Sequence, residues 1–262
     1  MPGQPPSSLR AVADDVRMAL AFLTRLPVST SSSAPVPGAL AHAMWAFPFV
    51  GVVIGFIGGA VFIASAAFGL PHLVSSTIAV AAMIGTTGAL HEDGLADMAD
   101  ANGGVTQEHK LEIMKDSRIG AYGVTALILA LLLRVSAISA YANEKDSMAV
   151  LLLLVSAGAA SRAAIVATAY FLPAVRSNGL SASAGQPTLI ILTQSSIIAI
   201  AVTVLSLTFP LSIASVIGCM AGAVAVSAMA RRLLGGQTGD VLGACQQIAE
   251  IGFVLGALVL AS

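Results

Sequence analysis

Charge is what this sequence has least of. Asp, Glu, Lys and Arg make up 10% of its 262 residues, against roughly a quarter in an ordinary soluble domain. None of the four occurs between Leu26 and His91, or between Ser177 and Ala230. Stretches that long without charge exclude a water-soluble globular fold. With a net charge of −1, nothing suggests nucleic-acid binding. The two cysteines, Cys219 and Cys245, have no motif spacing and give no evidence for a disulfide or a zinc site. The leading MPGQPPSSLR lacks the basic, apolar and small-residue order of a secretory signal, so residues 1–10 read as a disordered lead.

What is there is hydrocarbon. The AVILMFWYC set supplies 57% of the chain and the mean hydropathy is +0.92. Apolar runs near the 20 residues that cross a bilayer predict spans at roughly 46–69, 73–90, 122–142, 148–171, 189–208 and 211–230, with a shorter seventh at 248–261. Within 11–26, Val12, Val16, Ala19, Leu20 and Leu23 recur at helical spacing between Asp14, Asp15 and Arg17, which predicts an amphipathic helix lying on the membrane. The expected fold class is therefore all-α: a polytopic membrane bundle of six or seven transmembrane helices plus that N-terminal helix. Residues 11–262 read as one domain, with the polar 29–38 and 176–187 as loops.

Alternate crossings put loops 91–121, 172–188 and 231–247 on the side of Arg10, Arg17 and Arg25. That side also carries Lys110, Lys115, Arg118, Arg176, Arg231 and Arg232, while the other carries only Lys145. The positive-inside rule then predicts that the three polar loops share the cytoplasmic face.

Against this background, seven of the thirteen acids fall between His91 and Gly120. Carboxylates beside hydrocarbon must be solvated, paired or bound to a cation. Asp93, Asp97 and Asp100 are spaced i, i+4, i+7, one face of a helix, and oxygen donors in that pattern suit Mg²⁺ or Mn²⁺. His91 is a candidate general base, metal ligand or helix-end histidine. Glu92 points about 100° from Asp93 and ranks behind it. Downstream, Lys115, Asp116 and Arg118 lead into Gly120 and Gly123, a set able to hold a phosphate while the acid helps hold a metal. In the third loop, Gly235, Gly236, Gly239 and Gly243 allow close backbone approach, with Thr238 and Asp240 as polar contacts. Arg134 and Arg162 fall inside predicted spans, where they reach the phosphates or snorkel to an interface. Glu250 faces the bundle interior.

The strings HEDGLADMADANGG, KLEIMKDSRIGAYG and GGQTGDVLGA, with the early FLTRLPV and FPFVGVVIG, resemble the cobalamin (adenosylcobalamin 5′-phosphate) synthase family, the adenosylcobinamide-GDP ribazoletransferases. The likeness runs from about Phe22 to Glu250. It implies a Mg²⁺-dependent inner-membrane enzyme whose partners are adenosylcobinamide-GDP, α-ribazole or its 5′-phosphate, and the lipid bilayer; it releases GMP and forms adenosylcobalamin or its phosphate. Glu92 and Ala101-Asn102 replace residues of the family pattern (HLDG, ADGxxGG), off the aspartate face. In that frame Asp93, Asp97, Asp116 and Asp240 are the expected metal ligands. Asp100 and His91 are the expected catalytic residues, Asp100 as base or bridging ligand. Lys115, Arg118, Thr238, Gly239 and Arg162 are expected on substrate and phosphate. Two rival readings are a CDP-alcohol phosphatidyltransferase-like lipid enzyme, which expects an arginine soon after the DG, and an ion-coupled transporter, whose acids would lie at mid-membrane in broken helices. A homo-oligomer is left open by the sequence.

Overall fold

A computed structural model describes residues 8–28, 38–175 and 185–261, so most of the expected 29–38 and 176–187 loops, with Arg176, lies outside the described residues. Eleven α-helices in those residues form the bundle: α1 (Ser8–Leu23), α2 (Ala39–Ala43), α3 (Phe47–Ala67), α4 (His72–Thr87), α5 (Leu90–Asp100), α6 (Gln107–Ile113), α7 (Ala121–Glu144), α8 (Ser147–Phe171), α9 (Leu189–Ser206), α10 (Phe209–Leu234) and α11 (Gly239–Val259). Six are long and apolar enough to cross a membrane: α3 extended by α2, then α7, α8, α9, α10 and α11.

The expected span 73–90 takes a different form. Helix α4 has 16 residues, about 24 Å at 1.5 Å per residue, which is short of an apolar layer of about 30 Å. It meets α5 at a 90° bend. The elbow is built from two left-handed residues, Gly88 (φ 66°) and Ala89 (φ 59°), and Arg25 packs over it: its N–H donates to the Thr86 carbonyl at 2.8 Å. His72 at the start of α4 meets Asn143 near the end of α7 (2.9 Å), whereas Asp100 at the end of α5 reaches Gly120 and Gly123 at the start of α7. The bent pair thus runs antiparallel to α7 from one of its ends to the other, a seventh traverse made in two pieces.

Helix contacts rest on small residues. A Cβ added to Gly51 of α3 would lie 2.1 Å from the Gly158 carbonyl of α8, and one on Gly158 would lie 2.2 Å from that of Gly51. Gly218 of α10 and Gly252 of α11 meet in the same way. With no hydrophobic force between helices in lipid, such backbone approach supplies the van der Waals contact that holds them.

Two sequence expectations shift. Helix α1 starts at Ser8, inside the stretch read as a disordered lead, and it docks on protein as well as lying at the surface: Ala19 and Leu23 are buried, Phe22 stacks on Phe47 at 6.2 Å, and Asp15 accepts from Trp45 at 2.9 Å. The last helix begins at Gly239, well before 248, so much of the expected 231–247 loop is helical. Hydropathy misses this stretch because Gln246 and Gln247 face polar partners inside the protein and never meet lipid.

Candidate functional site

The three polar segments do converge. The Gln107 side chain donates to the Leu234 carbonyl at 2.6 Å, joining the segment after α5 to the end of α10. Residues 173–175 and 237 pair backbone to backbone, Gln237 N–H to Pro173 O at 2.8 Å and Val175 N–H to Gln237 O at 3.0 Å. Gly236 permits this pairing, because a Cβ there would lie 2.2 Å from the Pro173 oxygen. These contacts gather 104–120, 173–175 and 235–240 beside α5 at one end of the bundle, its mouth.

Helix α5 crosses the first turns of α11 glycine to glycine. A Cβ on Gly94 would lie 2.9 Å from the Asp240 Cα, and one on Gly243 would lie 3.3 Å from the His91 Cα and 3.4 Å from the Gly94 Cα. This contact fixes which way each acid of α5 points. Asp93 is exposed and Asp97 half-buried, both on the mouth side, with the backbone of Asp240 packed against Gly94 between them. Glu92 and Asp100 are turned into the protein.

Asp100 is the anchor of α7. Its two carboxylate oxygens accept from the backbone of Gly120 at 2.7 Å and Gly123 at 2.8 Å, donors of a helix first turn that have no partner within the helix. The negative charge also lies at the positive end of the helix dipole. Both glycines are needed, since a Cβ on either would sit 2.4 Å from an Asp100 oxygen. The aspartate stripe therefore slopes from open mouth to buried clasp, and Asp100 does not join Asp93 and Asp97 in one open cluster.

The clasp fixes one end of the Lys115–Arg118 turn, and buried Met114 fixes the other. Within the turn, Arg118 Nη2 meets the Asp116 carboxylate at 2.6 Å, and Nε bonds it as well at 3.0 and 3.1 Å. That pairing holds the Asp116 carboxyl down at about 2 and raises the Arg118 guanidinium. The expected metal ligand and the expected phosphate contact are thus each other's partner, on an exposed turn where exchange for another partner costs little. Lys115 beside them is exposed.

Thr238 is buried and caps α11, accepting from Val241 N–H at 3.3 Å and donating to Asp240 at 3.3 Å. Gly239 is exposed, and a Cβ on it would have nothing within 4 Å. It leaves room for a ligand at the start of a long helix, where backbone N–H groups favour an anion.

His91 and Arg162 lie elsewhere. Arg162 is 1% exposed; it meets Glu250 at 2.8 Å and Ser161 at 3.1 Å. His91 is 2% exposed at the α5–α11 crossing, and neither ring nitrogen has a hydrogen-bond partner among the described residues. Neither side chain opens on the mouth. They belong instead to a buried polar layer that sequence reasoning did not assemble. There Arg134 of α7 meets Glu250 of α11 at 2.5 Å and Glu92 of α5 at 3.4 Å. Gln247 donates to Glu92 at 3.0 Å, and Gln246 to Glu250 at 2.5 Å. Two arginines balance two glutamates, which is the condition for keeping four charges out of water. The available signal was intramembrane charge of both signs, Arg134 and Arg162 against Glu250, but not the pairing.

Among the described residues no three His, Cys, Asp or Glu side chains form a closed metal cage. An Mg²⁺ ion does not need one, because it keeps waters and is held by one or two carboxylates plus substrate phosphates. Asp93 and Asp97, one turn apart, fit that donor set, with the backbone of Asp240 packed against Gly94 between them. Apart from the mouth, a cavity of about 300 Å³ lies between α8, α9 and α10, bounded by Ala164, Phe171, Ala199 and Cys219. Its lining holds no charged side chain.

A helical bundle with six helices long and apolar enough to cross a membrane, and acids and bases gathered around one mouth, defines a polytopic membrane protein. The transporter reading expects acids inside a broken helix, and Glu92 beyond the α4–α5 elbow does lie there. Its charge is already matched by Arg134, however, leaving none over for a coupling ion. The chain belongs to the cobalamin-5-phosphate synthase family, whose model matches residues 15–258. It is 44% identical over 254 residues to the adenosylcobinamide-GDP ribazoletransferase of Bradyrhizobium diazoefficiens, covering 95% of this chain and 94% of the relative. The protein of the same name from Xanthobacter autotrophicus is 44% identical over 260 residues (96% and 98% covered), and that from Azorhizobium caulinodans 40% over 254 (94% and 96%). No solved structure matches the chain.

Proposed function

We propose that this enzyme transfers the cobinamide phosphate of adenosylcobinamide-GDP to α-ribazole or α-ribazole 5′-phosphate. A ribazole hydroxyl attacks the phosphorus bonded to the cobinamide, the P–O bond to GMP breaks, and adenosylcobalamin or its 5′-phosphate forms. The observation that carries this reading is the pair Asp93 and Asp97 facing the mouth, with Asp240 packed beside them. They would hold Mg²⁺, or Mn²⁺, which when bound supplies charge neutralisation for the diphosphate oxygens.

The chain's own residues do the rest. Lys115 and Arg118 neutralise the phosphates, Arg118 exchanging its bond to Asp116 for one to the substrate. Asp116, released by that exchange, adds a carboxylate to the metal side. Asp100 holds the Lys115–Arg118 turn in register and is a positioning residue, so the base role expected of it passes from it. Gly239 lets the diphosphate approach the first turn of α11, with Thr238 fixing that turn. Arg162 and His91 have no part in phosphate contact in this scheme. The bilayer is the inner membrane with the mouth cytoplasmic; Arg25, Lys115, Arg118, Arg231 and Arg232 at the mouth end, against Lys145 at the other, support that orientation.

The test is direct. Protein in detergent with Mg²⁺, adenosylcobinamide-GDP and α-ribazole should release GMP, and Asp93→Ala or Asp97→Ala should abolish release while leaving insertion and thermal stability unchanged. Near-normal turnover in both variants would remove the metal assignment, and no GMP from the parent would remove the reaction.

A further inference from the structure

We infer that Glu92 is a positioning residue for the metal-facing carboxylates, acting through the roll of α5; this rests on the reading of Asp93 and Asp97 as the metal's holders. Helix α5 carries four acids, and the structure divides them by task. The outer two point inward: Glu92 to Arg134 (3.4 Å) and Gln247 (3.0 Å), Asp100 to the first turn of α7. The inner two, Asp93 and Asp97, face the mouth.

Consecutive residues on an α-helix differ by about 100° in direction. The roll that puts Glu92 against Arg134 therefore fixes where Asp93 points. The close crossing of α5 with α11 sets the same direction, and Glu92 is the charged tie that holds it there. At that crossing Gly94 lies against the Asp240 backbone and Gly243 against His91, and the elbow before it is two residues in left-handed backbone. His91 packs at the crossing without a hydrogen bond to the described residues. Glu92 ties this end to both α7 and α11, through Arg134 and Gln247, while Arg134 is held in turn by Glu250, and Glu250 by Arg162 and Gln246. The chain of pairs runs through α5, α7, α11 and α8, so the roll of α5 is set by the bundle as a whole.

The experiment must separate positioning from stability, since removing one member of a buried ion pair destabilises by itself. Replacing both members with apolar residues of similar size is often neutral or stabilising, and Glu92→Leu with Arg134→Met leaves Glu250 and Arg162 balanced. In this double variant the melting temperature should match or exceed the parent's. Its dissociation constant for Mn²⁺ alone, read by electron paramagnetic resonance in detergent, should rise about tenfold or more, the usual effect of losing a partner that orients a ligand. The Mg²⁺ needed for half-maximal GMP release should rise by a similar factor, with kcat at saturating Mg²⁺ largely kept.

A second readout needs no metal. In an Asp93→Cys background a water-soluble maleimide reports the direction of position 93, because Cys219 and Cys245 are buried. Labelling should slow about threefold or more when the double substitution is added. Glu92→Gln, which keeps an acceptor for Gln247 and Arg134, should stay within about threefold of the parent on both readouts. Parent-like Mn²⁺ affinity and labelling in a stable double variant overturn the assignment. A parent that binds no Mn²⁺, with labelling that still responds, overturns the metal reading and leaves the roll intact. Should the double variant fail to fold, Gln247→Leu removes an uncharged partner and carries the same test, an unchanged labelling rate counting against the proposal.

Discussion

Replacing Asp100 by Asn separates an anchor from a base. Both oxygens of this buried carboxylate are committed to backbone N–H groups at 2.7 and 2.8 Å. A hydrogen bond to a charged group contributes about 1.5 to 3 kcal/mol, and an orphaned buried donor costs about 1 to 3. The amide keeps one acceptor and turns an NH₂ toward the other donor, so Asp100→Asn should lose about 2 to 4 kcal/mol. SDS titration from mild detergent, followed through the fluorescence of the single Trp45, reads that loss away from the clasp. Gly123→Ala checks the geometry with the opposite sign of prejudice. Helix propensity alone predicts a gain of about 1 kcal/mol, whereas a Cβ 2.4 Å from an Asp100 oxygen and 3.1 Å from the Ala96 carbonyl predicts a net loss. Turnover should fall in both, because the Lys115–Arg118 turn loses its register, and a misplacement of about 1 Å can cost about a hundredfold in rate. The pH profile of the remaining activity should keep its shape. Asp100→Asn with unchanged stability and a lost acid limb in that profile would restore the base; Gly123→Ala with raised stability would refute the clasp.

The elbow makes a paired prediction: Ala89→Gly should stabilise by about 0.5 to 1 kcal/mol, the relief of left-handed strain at φ 59° less the added chain entropy of glycine. Gly88→Ala should destabilise, since φ is 66° and the new Cβ would lie 2.5 Å from Arg25 Nε; equal effects from the two would count against the elbow geometry. Gly158→Ala should cost more than about 2 kcal/mol in the same titration, because its Cβ meets a carbonyl of α3 at 2.2 Å and backbone cannot rotate away. Asp116, its carboxyl held down at about 2 by Arg118, should stay ionised far below the ordinary carboxylate range. Its pairing therefore contributes stability in full above about pH 4, lost only as pH falls through about 2. Arg118→Gln should move the Asp116 midpoint, read by carboxyl NMR, up toward about 3.9, and an unmoved midpoint would refute the pairing.

Much of this molecule was legible in the sequence because lipid imposes a simple rule. Spans at 122–142, 148–171, 189–208 and 211–230 match α7, α8, α9 and α10 to within a few residues, since any residue facing hydrocarbon must be apolar. The convergence of three polar loops followed from counting crossings, and Gln107 on Leu234 with Pro173 on Gln237 makes it literal. The i, i+4 spacing of Asp93 and Asp97 gave their common face. Direction was less accessible at i+7: the same stripe that is open at Asp93 has turned under α7 by Asp100, and only knowledge of what lies above α5 shows it.

What hydropathy could not reveal is polarity answered inside the protein. A window average treats Arg134, Arg162 and Glu250 as penalties against a span, yet each sits near the middle of its helix with opposite charge within 3 Å. The penalty vanishes only when the partners are known, and they are distant in sequence. The same blindness shortened α11, whose Gln246 and Gln247 read as loop until Glu250 and Glu92 stand opposite them. Helical direction demoted Glu92. Judged by its own face of α5, that residue is off the site; judged by what it grips, it holds the site's direction. In a bundle whose helices meet through glycines, close backbone approach sets which faces touch, and a few balanced charges in a dry layer add a directional lock on top of it.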